Sequence, residues 1–409
     1  MEGLSCKNIV FLTSILSVFV KRVDSVTAAE MKTHITSTFT NYDTRVRPVL
    51  SDQSQAIQVT LDFYLVSINN FDSSQQKLET TGYLDITWTD QVLADSWSNA
   101  AVDEILVPQN EIWLPDLALQ NGFESLTGLG NTFHNVKIAK AGQVTWRPYQ
   151  VFESACNVEI TYFPFDKTTC ELKFVIWSNP KDLLLAKKGS EGLNTGLYGA
   201  NSEWTLLKTT ETEFTTNTSS GVTFSVEMKR KPLFYLLNIL VPVVMLAVLN
   251  PFVFALPVAS GEKTGFAVTA FLAFAVFLTI ISAELPENSE RMSTFSAYLF
   301  LMTFVSTLIS LITIAELRLS SRDTDVPVPG GLQSITRCVR SIRIRKCCGG
   351  DGAYIRGMKM SVMMSRLADD VTWEDAIDSL DFILFWVFFL ITVIVTTACF
   401  VIASVGGVA

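Results

Sequence analysis

Side chains able to carry out covalent or metal chemistry are sparse in this 409-residue chain. The only histidines are His34 and His134, and no His/Cys/Asp/Glu group has metal-ligand spacing. Neither a nucleophile elbow nor a glycine-rich phosphate loop occurs, so the expectation is of no enzyme, no metal and no cofactor. The sequence offers instead the pair Cys156 and Cys170 and an apolar run headed by one acid, Glu262. Steps of three and four from Glu262 reach Gly265, Thr269, Leu272, Val276 and Ile280, with Thr279 beside the last and Ala283 beyond, all on one helical stripe. Phe266, Phe271, Phe274 and Phe277 fall off it. Taken alone, such a stripe fits close packing by small residues at least as well as the wall of a pore.

The elements that must position these residues divide the chain. With 49% hydrophobic and 17% charged residues and a mean hydropathy of +0.33, the composition is apolar for a water-soluble protein. The net charge of −9 argues against nucleic acid as a partner, which needs clustered Lys and Arg. Lys7, the apolar run 9–20 and the small residues around Ala28 have the layout of a signal peptide over 1–28; a retained anchor is the alternative. Four later segments, 233–256, 264–285, 294–315 and 380–404, are long enough to cross a hydrocarbon core of about 30 Å. Residues 29–232 then lie outside, as does the C-terminus. The linker between the third and fourth spans lies inside, where 317–366 carry ten Lys or Arg against three Asp.

This topology sorts the cysteines. Cys6 leaves with the signal peptide, Cys399 is inside the last span, and Cys338, Cys347 and Cys348 are in the cytoplasmic linker. Only Cys156 and Cys170 remain outside, where a pair closing a 15-residue loop is expected to be a disulfide contributing about 3 kcal/mol. Between 50 and 230 the apolar residues alternate over 57–65, 82–88, 136–139, 170–177 and 222–229, with turn residues between. That pattern predicts strands with one buried face, hence a β-sandwich, preceded by a short amphipathic helix within about 29–45.

The loop between the two cysteines is centred on Phe163-Pro164-Phe165-Asp166. With Trp113-Leu-Pro-Asp116, Trp88-Thr-Asp90, Trp177 seven residues after Cys170, Arg230-Lys-Pro232, Gly261-Glu-Lys263, Pro286 and a detached fourth span, it resembles the Cys-loop receptors. These are pentameric ligand-gated ion channels, and the likeness runs along nearly the whole chain. It is nearest to the nicotinic acetylcholine receptor-like branch, as a divergent subunit of invertebrate type. The resemblance implies a β-sandwich ligand-binding domain over 29–232, transmembrane helices one to three over 233–316, a short linker over 317–378 and a fourth helix over 379–409. Five identical or related subunits surround a central pore in the plasma membrane, a postsynaptic membrane being one setting the resemblance allows, with lipid around them.

In such receptors the ligand sits between subunits in an aromatic box. The resemblance places Trp177 on one face and Tyr83 and Trp146 on the other. Gln120 stands where an amine receptor usually has Tyr, and the capping hairpin has Phe214 but no cysteine pair, so a cationic ligand other than acetylcholine is expected. Asn217-Thr-Ser219 is a glycosylation sequon on that hairpin. Glu211 and Glu213 are either solvated or ligating.

Read as a pore, five Glu262 form a cation-attracting ring at the cytoplasmic mouth, and Leu272 and Val276 an apolar gate, with monovalent cations permeating. Lys263 is expected to point away from the lumen. For gating, the Phe163–Phe165 stretch should pack on the connection around Pro286, while Arg230 pairs with Asp166 or Asp72. A non-conducting accessory subunit is the other reading.

Overall fold

A computed structural model describes residues 26–407 except 100, 127, 132, 286–291, 323–326 and 348–370, with side chains of 284 and 342–347 not described. The proposed signal peptide up to residue 25, Pro286, and the Cys347 and Cys348 side chains therefore lie outside the described residues.

The chain opens with α1 (Ala28–Phe39), shorter than the segment expected, begun by a capping box in which Thr27 and Glu30 satisfy each other's backbone N–H groups. Among the described residues, eleven strands follow. β1 (Ile57–Asp72) and β2 (Lys77–Thr89) form a hairpin whose turn is closed by Asp72, its Oδ1 accepting the N–H groups of Ser74 and Gln75. The rest are β3 (Glu104–Pro108), β4 (Leu117–Leu119), β5 (Asn135–Ala139), β6 (Gln143–Trp146), β7 (Tyr149–Ala155), β8 (Lys167–Ile176), β9 (Leu184–Asn194), β10 (Trp204–Thr215) and β11 (Ser220–Arg230). One sheet runs β3-β5-β6-β2-β1-β9 with β7 also on β2; the other runs β10-β11-β8-β4.

The alternation read from the sequence has a direct consequence: in β2, Leu78, Thr80, Gly82, Leu84, Ile86 and Trp88 all face inward. Between the sheets Phe63 and Phe152 of one meet Phe174 and Phe224 of the other, with ring centroids 5.4–6.0 Å apart. Burying four such rings supplies on the order of 2–3 kcal/mol each. The Cys156–Cys170 disulfide is present, with 5.0 Å between Cα atoms, and ties the end of β7 to β8.

Among the described residues, four helices are long and apolar enough to cross a membrane: α2 (Leu233–Ala255), α3 (Lys263–Ala283, continuing to Glu284), α4 (Thr294–Ser320) and α6 (Trp373–Gly406). Between the last two lies α5 (Gly330–Cys347). α2 widens into a π-helical stretch over Leu236–Leu240 just before Pro242, whose ring and missing N–H disturb an α-helical turn there. The helices pack through the stacked rings of Phe254 and Phe388, 5.6 Å apart, and a hydrogen bond of 3.1 Å between Tyr298 Oη and Thr396 Oγ1.

Candidate ligand face, pore face and coupling site

In the smaller sheet the register sets Phe214 opposite Gly221, and Gly221 opposite Val175. Trp177, two residues beyond Val175, therefore lies at the same end as Phe214. The Phe214 ring covers Gly221, where a Cβ would lie 2.4 Å from it. Trp177 is 59% exposed, so it is not a core residue. Its loop is fixed by Asp116: the backbone carbonyl accepts the Trp177 N–H at 3.0 Å, and the carboxylate accepts the Ser178 N–H and the Asn179 side chain, the latter at 2.8 Å. Gln120 is exposed at the end of β4, its N–H bonded to the Lys173 carbonyl at 2.7 Å. Asn217 is exposed in the tight turn joining β10 to β11.

Glu211 and Glu213 are engaged within the chain. Glu213 accepts from Lys187 Nζ and the Lys188 N–H, both at 3.0 Å, and Glu211 lies 3.6 Å from Lys188 Nζ. Burial pushes the Glu213 carboxyl up, but the lysine and backbone hydrogen bonds outweigh it and hold the group below the ordinary carboxylate range.

On the larger sheet Tyr83 is opposite Tyr64 on one side and Tyr149 on the other. Directly opposed residues share a face, so the three tyrosines form one outward row. The Tyr64 and Tyr83 rings stack at 4.7 Å, and Asp85 beside them pairs with Arg147 at 2.7 Å. Tyr149 is 49% exposed. Trp146 differs from the sequence expectation. Its strand has Val144 and Trp146 in the same inward phase, so the indole is buried, with Nε1 donating to Gln109 Oε1 at 3.1 Å. The exposed aromatic surface of this face is the tyrosine row, of which Tyr64 and Tyr149 were not foreseen; the alternation in 57–65 was a signal for Tyr64 alone.

On α3 exposure separates two faces. Glu262, Gly265, Thr269, Leu272, Val276 and Ile280 are exposed, whereas Lys263, Ala267, Ala270, Phe274 and Ile281 are buried against the other helices. Phe271 and Phe277 are half-buried, and Phe266 is at the exposed margin. Lys263 turns inward: its Nζ is 2.7 Å from Glu316 Oε2 and also contacts Asp381 Oδ1.

Where sandwich meets helices, Arg230 is buried. Its Nε donates to Asp166 Oδ1 at 2.9 Å, and its Nη2 donates to Asp166 Oδ2 at 3.1 Å and to Ser73 Oγ at 2.8 Å. The guanidinium also lies 4.3 Å from the Trp204 ring centre. Asp166 is thus the partner, and Asp72 is occupied with its own turn. The Phe163 ring meets Tyr235 of α2 at 5.1 Å and Phe295 of α4 at 6.4 Å. Pro164 is buried, and Phe165 lies against Gly407, the residue that caps α6.

Known proteins resemble this chain in sequence. Residues 31–232 match the neurotransmitter-gated ion-channel ligand binding domain, and residues 239–326 match the neurotransmitter-gated ion-channel transmembrane region. The chain is 31% identical over 276 residues to acetylcholine receptor subunit beta-type acr-3 of Caenorhabditis elegans, covering 67% of this chain and 56% of that one. It is 32% identical over 275 residues to acetylcholine receptor subunit beta-type lev-1 of the same animal, covering 67% and 54%. It is 31% identical over 303 residues to acetylcholine receptor subunit epsilon of Xenopus laevis, covering 69% and 60%. The chain thus spans somewhat over half the length of these relatives. The two family matches fall on the sandwich and on the first three apolar helices, and the chain belongs to the neurotransmitter-gated ion-channel family, as a multi-pass membrane protein that is not an enzyme.

Proposed function

We propose that the chain is a subunit of a pentameric cation-selective channel in the plasma membrane, opened by a small cationic ligand from outside and passing monovalent cations. The observation that carries this reading is the division of α3: the stripe from Glu262 to Ile280 is the face its own subunit leaves uncovered, while Lys263, Ala267, Ala270 and Phe274 are covered. Five such stripes enclose a lumen with a ring of carboxylates at the cytoplasmic mouth and a Leu272–Val276 constriction that closes by dewetting. Gly265 leaves the narrow end wide.

For the ligand, we assign Trp177, Gln120 and Phe214 to one side of a subunit interface and Tyr83 to the other, with Trp146 supporting the second side from within. Cation–π attraction of about 0.5–2 kcal/mol per ring suits an ammonium group. Gln120 and the lone Phe214 reduce the aromatic content of the first side. That favours a ligand other than acetylcholine, and it is the observation behind the second reading, a non-conducting accessory subunit. Both termini are then extracellular, and a synaptic site fits the reading.

Leu272→Thr tests the choice without an agonist. Hydroxyls at the constriction are expected to wet it and give a standing current in a heterologous cell. The reversal potential should follow external sodium and not chloride. A variant that reaches the surface and stays silent favours the accessory reading.

A further inference from the structure

Glu262 and Lys263 are neighbours in sequence, and this raises a question of charge. Five Lys263 ammonium groups facing a lumen would cancel five Glu262 carboxylates. Lys263 is instead turned into the subunit, 4% exposed at its side chain, with Nζ above the Phe254 ring at 5.5 Å. There it meets two acids from two other helices: Glu316 of α4 at 2.7 Å, and Asp381 of α6. The side chains of Glu316 and Asp381 are 1% and 9% exposed. One ammonium between two carboxylates leaves the cluster formally negative by one charge. With both acids ionised and Glu262 added, these four side chains carry two net negative charges per subunit.

The position of those charges decides how far they act. Exposed charges are screened within about 8 Å at physiological ionic strength. Charges enclosed in low-dielectric protein are screened much less, and their field concentrates in a neighbouring water-filled passage.

We infer that Glu316 and Asp381 are charge-selectivity residues of the pore, over-compensating Lys263 so that the Glu262 ring acts undiminished. The inference rests on the pore reading above. A purely mechanical role, in which the cluster only braces three helices, makes a different prediction, because bracing depends on the contacts and selectivity on the sum of charges.

The test is a charge series in the full-length protein on the Leu272→Thr background, so that current flows without an agonist. The readouts are single-channel conductance and reversal potential in a tenfold sodium chloride gradient, neither of which depends on how many channels reach the surface. Glu316→Gln is expected to lower cation conductance by roughly one third to one half. Glu316→Gln combined with Asp381→Asn leaves Lys263 unopposed beside Glu262, and the reversal potential should move most of the way toward zero. Adding Lys263→Met to that pair should bring it back, although the ion cluster is then gone. The triple variant leaves no buried charge without a partner, which favours its folding.

The inference is overturned if the double variant reverses at the parent's potential, or if Lys263→Met brings no return. Where the combined variants make no channels, the single Glu316→Gln and Asp381→Asn variants decide, and unchanged conductance in both overturns it. Failure of the pore reading is distinguishable, since the Leu272→Thr parent itself is then silent.

Discussion

Arg230 at the end of β11 donates to Asp166 at 2.9 Å, and Asp166 is the residue that follows Phe163-Pro164-Phe165. The pair joins the strand leading into the first apolar helix to the loop that touches the other helices, through Phe295 and Gly407. The sandwich is therefore connected to α2 along the chain and to α4 and α6 by contact. These contacts support the coupling expected from the sequence.

The pair should be stiff because it is buried, with side chains 4% and 0% exposed. Arg230→Gln leaves the Asp166 carboxylate enclosed without its counter-charge, a loss of about 3–5 kcal/mol. Arg230→Gln together with Asp166→Asn should cost less than Arg230→Gln alone, since no unpaired charge remains. Heat denaturation of the solubilised protein, followed by loss of the assembled species, ranks the variants. If the double variant is the less stable one, the ion pair is not the main contribution of these side chains.

The close approach of α6 to the same loop makes a separate prediction. A Cβ at Gly406 would lie 2.0 Å from the Tyr162 ring, so only glycine fits without displacement. Gly406→Val should destabilise the protein by about 1–3 kcal/mol through overpacking. Tyr162→Ala in the same chain should recover part of that loss. Equal loss with and without the tyrosine would mean that the strain falls elsewhere along α6.

Much of this architecture was legible in the sequence, for a physical reason in each case. Strand alternation follows from one buried face, so Leu78, Leu84 and Ile86 were identifiable from their spacing. The apolar spans follow from length and hydropathy, and the disulfide from which cysteines share a compartment. The stripe on α3 was readable because helical steps need no tertiary information. What the sequence did not yield depends on register and long-range contact. Tyr64, Tyr83 and Tyr149 form a row only because β1, β2 and β7 pair in one particular register. Lys263 finds Glu316 and Asp381 across separations of 53 and more than a hundred residues, which no local pattern reports. Asp116 was visible as part of a motif, yet its work in holding the Trp177 loop is a matter of distances. Trp146 is the opposite case: its inward phase is already implied by alternation with Val144, and the likeness to an aromatic box outweighed that local signal.

The two faces of α3 can be separated chemically. Thr269→Cys and Val276→Cys place a thiol on the exposed face, and Ala270→Cys places one on the buried face. In channels opened by Leu272→Thr, a positively charged thiol reagent applied from outside should block current through the first two and leave the third unchanged. Block of the Ala270→Cys channel with sparing of Val276→Cys would reverse the assignment of faces. The endogenous Cys338 is on α5, remote in sequence from the stripe, and the Leu272→Thr channel without added cysteine is the control.

The last prediction concerns α1 and pH. His34 is buried, its Nδ1 is 2.9 Å from Ser98 Oγ, its ring meets Trp97 edge-on at 4.7 Å, and its Nε2 has no hydrogen-bond partner among the described residues. Burial depresses the imidazole pKa, since a charged ring here gives up hydration without gaining a counter-charge. With the folded value below the ordinary value of about 6.5, the released helix binds a proton more readily than the docked one. The docked state is therefore at full strength above about pH 6.5 and loses stability as pH falls below it, until the folded-state value is passed. Amide hydrogen exchange in α1, corrected for the intrinsic pH dependence of exchange, should show weaker protection at pH 5.5 than at pH 7.5. His34→Phe keeps an aromatic ring against Trp97 and removes the titration, so the difference should vanish in that variant. If wild type and His34→Phe lose protection equally on acidification, another group governs the docking of α1.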